Sequence, residues 1–201
     1  FARSPILLLG TKIRKPCMRT FIGGERHQTS QQRREELIGY TVENFKRLAE
    51  VAERVHVPLV LENHEDLTSI EVLNILKAVG SPYVRALIDN GNALPVRENP
   101  VECVFRLAPH ASACHLKDWK VHWVNDIPMR EGCPLGEGDA CAAESYRILR
   151  DAQPDMPITM EIASIRFDRT SQSAEEEDAN VVKSVGFLKT LDSSSTNSFE
   201  D

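Results

Sequence analysis

Residues 57–80, VPLVLENHEDLTSIEVLNILKAVG, predict one strand followed by one helix. The mostly apolar run Val57–Glu62 is typical of a buried strand. Thr68 and Glu71 have the spacing of a capping box, which predicts the beginning of a helix. Gly80, with a proline two residues later, predicts its end. The apolar residues that continue the helix are Ile70, Leu73, Leu76 and Val79.

The same pattern of strand and helix recurs on both sides of this segment. Further strands are predicted at Lys15–Gly24, Val84–Asp89, Ala111–Lys117 and Pro157–Ile162. Further helices are predicted at Gln31–Val55, from Pro100 through Leu107, around Tyr146 and Leu149 with Asp139 as the cap, and at Ala174–Leu191 with Val181, Val185 and Leu188 facing inward. Trp119–Gly138 is predicted to be a long loop.

Five strands, each followed by a helix, predict an α/β protein with a parallel sheet and right-handed crossovers. Two architectures fit this alternation, an open doubly wound sheet and a (β/α)8 barrel. No GxGxxG sequence follows the first strand, which argues against the dinucleotide-binding form of the open sheet.

Composition excludes several classes of protein. The 201 residues carry a formal net charge of −6, which argues against binding to nucleic acid. No apolar stretch approaches the roughly 18–20 residues of a membrane span, and no secretory signal is visible. The five cysteines are never in CxxC spacing. We therefore expect free thiols and a cytoplasmic protein.

Four of the predicted strands carry a possible metal ligand at or near their C-terminal ends. These residues are Glu62, Asp89, His115 and Glu161. Side chains alternate along a strand, so all four share the inward face, whereas the outward face is mostly apolar and should pack under helices. In both architectures the active site lies beyond the C-terminal strand ends, so we expect the four side chains to converge. Three carboxylates and one imidazole suit Mn²⁺, Mg²⁺ or Co²⁺ better than Zn²⁺.

Five segments together resemble the sugar phosphate isomerase/epimerase group of the xylose isomerase-like TIM-barrel superfamily. They are LENHEDLTS (61–69), LIDNGNAL (87–94), CHLKDW (114–119), PLGEGD (134–139) and ITMEI (158–162). The resemblance implies a (β/α)8 TIM barrel of which about strands four to eight are present, with the strand ending at Gly24 as the fourth. Strands one to three would then precede these residues, and we expect the sequence to be the C-terminal part of a longer protein.

The resemblance also implies a chemistry. The superfamily holds a divalent metal on Glu, Asp, His and Glu, which match Glu62, Asp89, His115 and Glu161. The implied activity is isomerisation or epimerisation of a keto- or aldo-sugar, in which removal of an α-proton gives an enediolate. Glu62 and Glu161 are the predicted acid/base pair as well as ligands. Asp89 and His115 are predicted to be ligands only.

Three further residues are predicted to bind the sugar or sugar derivative. Lys117 shares the face of His115 and could hold a substrate oxygen or phosphate. His64, two residues past Glu62, could line the mouth of the site. Asn92 occupies the position at which ketose 3-epimerases of this superfamily often carry a substrate-binding histidine, so the sequence departs from that subgroup.

Two alternatives stay open at the level of sequence. A dehydratase or lyase of keto-sugars or keto-inositols would use the same metal and the same proton abstraction. A barrel without its first strands could instead be a non-catalytic fragment, and its open edges make a homo-oligomer possible. An apurinic-site endonuclease of this superfamily is disfavoured, because it would need more ligands and a basic surface. Residues 1–191 are assigned to the partial barrel and residues 192–201 to a disordered polar tail.

Overall fold

The computed structural model describes residues 16–196. In chain order the strands and helices are β1 (Met18–Thr20), α1 (Gln31–Val55), β2 (Leu59–Glu62), α2 (Ser69–Val79), β3 (Val84–Asp89), α3 (Pro100–Leu107), β4 (Ala111–Leu116), β5 (Trp119–Val124), β6 (Ile127–Gly132), α4 (Ala142–Ala152), β7 (Ile158–Met160) and α5 (Ala174–Thr196). Within the described residues, no helix has the length and apolar character needed to cross a membrane.

Five parallel strands form one sheet in the order β1-β2-β3-β4-β7, with helices on its outer side. The sheet is about half of a (β/α)8 barrel, which confirms the predicted incomplete TIM barrel. The register places Asp89 beside His115 and His115 beside Thr159. The C-terminal ends of β2, β3, β4 and β7 therefore meet at one edge.

Local signals in the sequence determine where the helices begin and end. The Ser30 side chain accepts a hydrogen bond from the Arg33 backbone N–H at 3.2 Å and caps α1. The capping box predicted at Thr68 and Glu71 is present at the start of α2. Gly80 ends that helix at a positive φ of 72°, a conformation that costs glycine little.

The two faces of the sheet differ as the alternation predicts. Outward-facing side chains pack with the helices in the main hydrophobic core; they are Leu59, Leu61, Ala86, Ile88, Cys114 and Leu116. Inward-facing side chains form a small separate cluster of Val60, Leu87 and Ala113, against which Cys17 packs. The inward face becomes polar only towards the C-terminal strand ends, where the candidate ligands lie.

The predicted long loop over Trp119–Gly138 is wrong for its first part. Strands β5 and β6 form an antiparallel hairpin, paired from Trp119–Gly132 to Val124–Ile127. Asn125 and Asp126 join them with φ values of 48° and 62°, the two positive angles that a type I′ turn requires. Side chains that alternate along a solvated two-stranded ribbon gave too weak an apolar pattern to reveal it.

Asp139 does not cap helix α4 as predicted. Its carboxylate accepts a hydrogen bond from the Val121 backbone N–H at 2.8 Å and so ties the hairpin to the following loop. Cys141 occupies the N-cap position of α4 without a side-chain hydrogen bond. The acidic residue thus serves a tertiary contact in place of the local one.

Helix α5 differs from its prediction in two ways. Val181 and Val185, predicted to face inward, are each 38% exposed, whereas Ser184 and Leu191 are buried. The inward stripe is therefore rotated around the helix axis. The helix also continues through Thr196, five residues into the segment expected to be disordered. Asp192 accepts a hydrogen bond from the Tyr146 hydroxyl and anchors this extension to α4; residues 197–201 lie outside the described part.

Candidate metal centre

The four predicted ligands converge at the C-terminal edge of the sheet. Glu62 ends β2, Asp89 ends β3, His115 is the second-last residue of β4, and Glu161 directly follows β7. One nitrogen or oxygen of each side chain lies within 4.8 Å of the others. Residues far apart in the sequence thus form one compact cluster of three carboxylates and an imidazole.

Burial and missing hydrogen bonds make this cluster suitable for a cation. Glu62 and Asp89 are fully buried. Among the described residues, Glu62 Oε1, Asp89 Oδ2 and His115 Nδ1 are buried polar atoms without a hydrogen bond of acceptable geometry. Buried polar atoms are nearly always satisfied in native proteins. Oxygen and imidazole donors in this state fit a divalent ion, which would satisfy all three atoms together.

Charged neighbours lie close to every ligand. His115 Nδ1 is 3.3 Å from Glu62 Oε1 and 3.0 Å from Glu161 Oε2. Lys117 Nζ is 2.8 Å from Asp89 Oδ2 and 3.0 Å from Glu161 Oε1. Arg19, on β1, forms an ion pair with Glu62. In the absence of a metal, the protein's own cations hold the carboxylates together.

These contacts move the pKa values of the ligands in opposite directions. Hydrogen bonds to Glu161 and Glu62 raise the pKa of His115 to about 9. The hydrogen bond from His115, together with Lys117, lowers the pKa of Glu161 to about 2. Burial raises the pKa of Asp89 to about 6. Burial would also raise the pKa of Glu62, but His115 and Arg19 outweigh it and hold that pKa below its ordinary value. Without metal, a proton on His115 therefore bridges the two glutamates.

The structure brings all three predicted substrate-binding residues to this edge of the sheet. Lys117 is buried and contacts two of the candidate ligands. Asn92 is fully buried, and neither polar atom of its side-chain amide has a hydrogen-bond partner among the described residues. His64 is half-buried, stacks on Phe21 with ring centroids 4.5 Å apart, and has an unpartnered Nδ1.

Asparagines that directly follow two of the ligands hold the strand ends in register. The Asn63 side chain donates to the Asp89 carbonyl oxygen and accepts from the Asp89 N–H, both at 2.8 Å. The Asn90 side chain accepts from the Lys117 N–H and donates to its carbonyl oxygen, both at 3.0 Å. Each strand end is thus fixed to the next one, so the ligands are placed by backbone contacts as well as by packing.

Sequence analysis missed Asn63, Asn90, Arg19 and Gly91. The repeated asparagine one position after Glu62 and after Asp89 is a signal that could have found the first two. Arg19 lies on a short strand without a distinctive motif. Gly91 is required by space, since a Cβ there would lie 2.6 Å from Lys117 Cγ and 3.1 Å from Trp119 Nε1. That close approach is not visible in the sequence.

Two curated proteins are similar to part of the chain. The uncharacterized protein YihM of Escherichia coli is 29% identical over 79 residues, which cover 39% of this chain and 24% of YihM. The 3-oxo-isoapionate decarboxylase of Pectobacterium atrosepticum is 26% identical over 125 residues, which cover 60% of this chain and 42% of the decarboxylase. The chain thus spans less than half the length of either relative.

Three solved structures share the fold at low sequence identity. The xylose isomerase domain protein of Planctomyces limnophilus has a TM-score of 0.67 at 20% identity, covering 90% of this chain and 60% of its own. A xylose isomerase-like TIM barrel protein of Mycobacterium smegmatis, in complex with magnesium, has a TM-score of 0.59 at 19% identity, covering 82% and 52%. The D-psicose 3-epimerase of Clostridium cellulolyticum with D-tagatose has a TM-score of 0.61 at 15% identity, covering 79% and 57%.

A family profile extends over most of the sequence. Residues 11–191 match the profile of the xylose isomerase-like TIM barrel, and they include every strand and all four residues of the candidate metal centre. The profile, the five parallel strands and the shared fold agree with one another. The chain therefore belongs to the xylose isomerase-like TIM barrel family.

Proposed function

We propose that the chain carries the active site of a divalent-metal-dependent isomerase or epimerase of keto- or aldo-sugars. The observation that carries this proposal is the convergence of four ligand atoms within 4.8 Å, three of them buried and lacking a hydrogen-bond partner. The epimerase with D-tagatose among the structural relatives supports a sugar as substrate.

Glu62, Asp89, His115 and Glu161 would hold the metal. Oxygen donors outnumber nitrogen in this set, which favours Mn²⁺, Mg²⁺ or Co²⁺ over Zn²⁺, and a structural relative is known in complex with magnesium. When bound, such an ion supplies a Lewis acid that polarises a carbonyl and its neighbouring hydroxyl. Buried Glu62 and Asp89 keep their oxygens away from bulk water, so they are already oriented for a cation.

The two glutamates are suited to proton transfer. Glu62 and Glu161 come from non-adjacent strands and lie on either side of His115, whose Nδ1 contacts both carboxylates. One carboxylate can remove the α-proton of the sugar, and the other can return a proton to the enediolate. Glu161 is the more accessible of the two, with 39% of its side chain exposed against 1% for Glu62.

Asn92, His64 and Lys117 would bind the substrate. The amide of Asn92 has unused donors and an unused acceptor in a fully buried position, which matches sugar hydroxyls in both capacities. His64 adds an unpartnered ring nitrogen. Lys117 adds a positive charge beside Asp89 and Glu161.

A dehydratase, lyase or decarboxylase on the same site is the alternative. The 3-oxo-isoapionate decarboxylase among the relatives supports it, because elimination, decarboxylation and isomerisation can all pass through an enolate-like intermediate. The outcome differs in whether a leaving group departs from the neighbouring carbon. A chain with an assembled but inactive site is a further alternative.

We also propose a cytoplasmic location. All five cysteines lie in the described part of the chain, and none of them forms a disulfide. Free thiols are typical of a reducing compartment.

The proposed function is tested by exchange of substrate protons with solvent. The Mn²⁺-loaded protein is incubated in D₂O with D-tagatose, D-fructose or dihydroxyacetone, and deuterium at the α-carbon is followed by NMR. We expect metal-dependent incorporation, because α-proton abstraction occurs whichever product follows. Glu62→Gln and Glu161→Gln should each abolish it, since an amide cannot accept the proton.

Glu137→Gln is the matched control, because Glu137 is an exposed glutamate whose partner is Lys183. Exchange at the wild-type rate in both active-site variants would contradict the assignment of the acid/base pair. Product analysis by mass separates the alternatives, since an isomer keeps its mass, whereas elimination loses water or another leaving group.

A further inference from the structure

Two cations contact the candidate metal centre in addition to its four ligands. Lys117 Nζ lies 2.8 Å from Asp89 Oδ2 and 3.0 Å from Glu161 Oε1. Arg19 forms an ion pair with Glu62. Both are on the inward face of the sheet, so both charges lie on the side that a substrate would approach.

The surroundings of each cation hold it in place. Lys117 is buried, its Nζ lies 4.7 Å from the centroid of the Trp119 ring, and Gly91 leaves room for its stem. Arg19 Cζ lies 5.1 Å from the centroid of the Phe21 ring, and Phe21 in turn stacks on His64. The Arg19 side chain is 41% exposed, so its guanidinium can also reach a bound molecule.

The charges of the occupied centre do not cancel. A histidine that ligates a metal is neutral, and carboxylate ligands are ionised. The three carboxylates therefore outweigh a divalent ion by one negative charge. Lys117 and Arg19 then supply two positive charges, which leaves the centre with one positive charge in excess. A neutral sugar would leave this excess charge unmatched in a partly buried site, which is costly.

We propose that the substrate is a sugar acid or keto acid whose carboxylate is bound by Arg19 and Lys117, next to the hydroxy-carbonyl group that reacts. This inference rests on the proposed function and deepens it. A planar carboxylate matches the forked donors of an arginine. Its single negative charge also equals the excess charge of the occupied centre. A phosphate monoester carries a charge of about −1.5 to −2 at neutral pH and would overcompensate.

The test compares three small probes that share one hydroxyketone unit. Dihydroxyacetone is neutral, hydroxypyruvate carries a carboxylate in place of one hydroxymethyl group, and dihydroxyacetone phosphate carries a phosphate. Calorimetry measures the affinity of the Mn²⁺-loaded protein for each. We expect the order hydroxypyruvate, dihydroxyacetone phosphate, dihydroxyacetone, with the first binding roughly 10- to 100-fold more tightly than the last.

Variants separate recognition by Arg19 from direct contact of the carboxylate with the metal. Arg19→Gln should reduce the preference for hydroxypyruvate over dihydroxyacetone by roughly tenfold or more, because one charge-assisted contact is lost. Arg19→Lys should restore part of it, since the charge returns without the fork. Arg85→Gln is the matched control, because Arg85 is an inward-facing strand arginine that donates to the Pro109 and Ala111 carbonyl oxygens at the other end of the sheet.

Each other outcome overturns the inference. An unchanged preference in Arg19→Gln would mean that the metal alone selects the carboxylate. Tighter binding of the phosphate, or equal binding of all three probes, would exclude the carboxylate assignment. Metal affinity is measured first in every variant. Failure of the wild type to bind Mn²⁺ would overturn the proposed function itself, whereas normal Mn²⁺ binding with an unchanged preference would overturn only this inference.

Discussion

Asp66 is a buried carboxyl group near the candidate metal centre but outside the ligand set. Its Oδ2 accepts a hydrogen bond from the Gly23 N–H at 2.9 Å. Burial nevertheless raises the pKa of Asp66 to about 7, because backbone hydrogen bonds only partly compensate for the lost hydration. The folded protein therefore holds this proton in a pH range where the unfolded chain has released it.

The sign of the resulting pH dependence follows from proton linkage. The pKa of an aspartate in the unfolded chain is about 4, so the folded state binds more protons between about pH 4 and pH 7. Stability must fall as the pH rises through this range. Between pH 5 and pH 8 the wild type should lose about 3 kcal/mol more than Asp66→Asn, which does not titrate.

Urea unfolding at the two pH values measures this difference. Asp178→Asn is the control, because Asp178 is exposed on α5 and should titrate alike in both states. Parallel profiles for the wild type and Asp66→Asn would show that Asp66 is ionised in the folded protein. The sequence does not reveal this property, since nothing in the letters around Asp66 distinguishes a buried carboxyl group from a helix-capping one.

At the scale of elements, Asp118 links the β5–β6 hairpin to the loop that precedes α4. Its carboxylate accepts hydrogen bonds from the backbone N–H groups of Trp119, Gly136, Gly138 and Ala140, at distances from 2.9 to 3.2 Å. A side chain at Gly138 would collide with this carboxylate. One buried side chain thus fixes the loop that follows the hairpin beside the metal centre.

Asp118→Ala should destabilise the protein by about 3 kcal/mol, because several backbone donors would lose their acceptor. Hydrogen exchange at Gly136, Gly138 and Ala140 should accelerate in this variant. Exchange at Val104 and Leu107, inside α3, should change only as much as global stability does. Unchanged protection of the three loop amides would contradict the assigned role of Asp118.

Elements with a strong local signal could be predicted from the sequence, and those fixed by tertiary contacts could not. Gln31–Val55 and Val84–Asp89 have the predicted bounds, because caps and apolar spacing are local properties. The hairpin was missed because its strands are half solvated. The stripe of α5 was misplaced because Val181 and Val185 satisfy the helical period without being buried.

At the scale of the whole molecule, the parallel sheet turns four distant positions into one site. The position of the candidate ligands could be predicted, since strand alternation and the rule that sites lie at C-terminal strand ends are general. The contacts of Arg19 and the two asparagines could not, because they depend on neighbouring strands whose register only the fold defines. The sequence thus predicted the ligands better than the residues that position them.

The most direct test of this account is calorimetric titration of Mn²⁺ into the protein and its Glu161→Gln variant. We predict one tight site in the wild type, a loss of affinity of more than about tenfold in Glu161→Gln, and wild-type affinity in the exposed control Glu137→Gln. Binding should also release a proton, because the histidine ligand must be neutral. Equal affinity in all three proteins, or none in the wild type, would contradict a metal centre at the four strand ends.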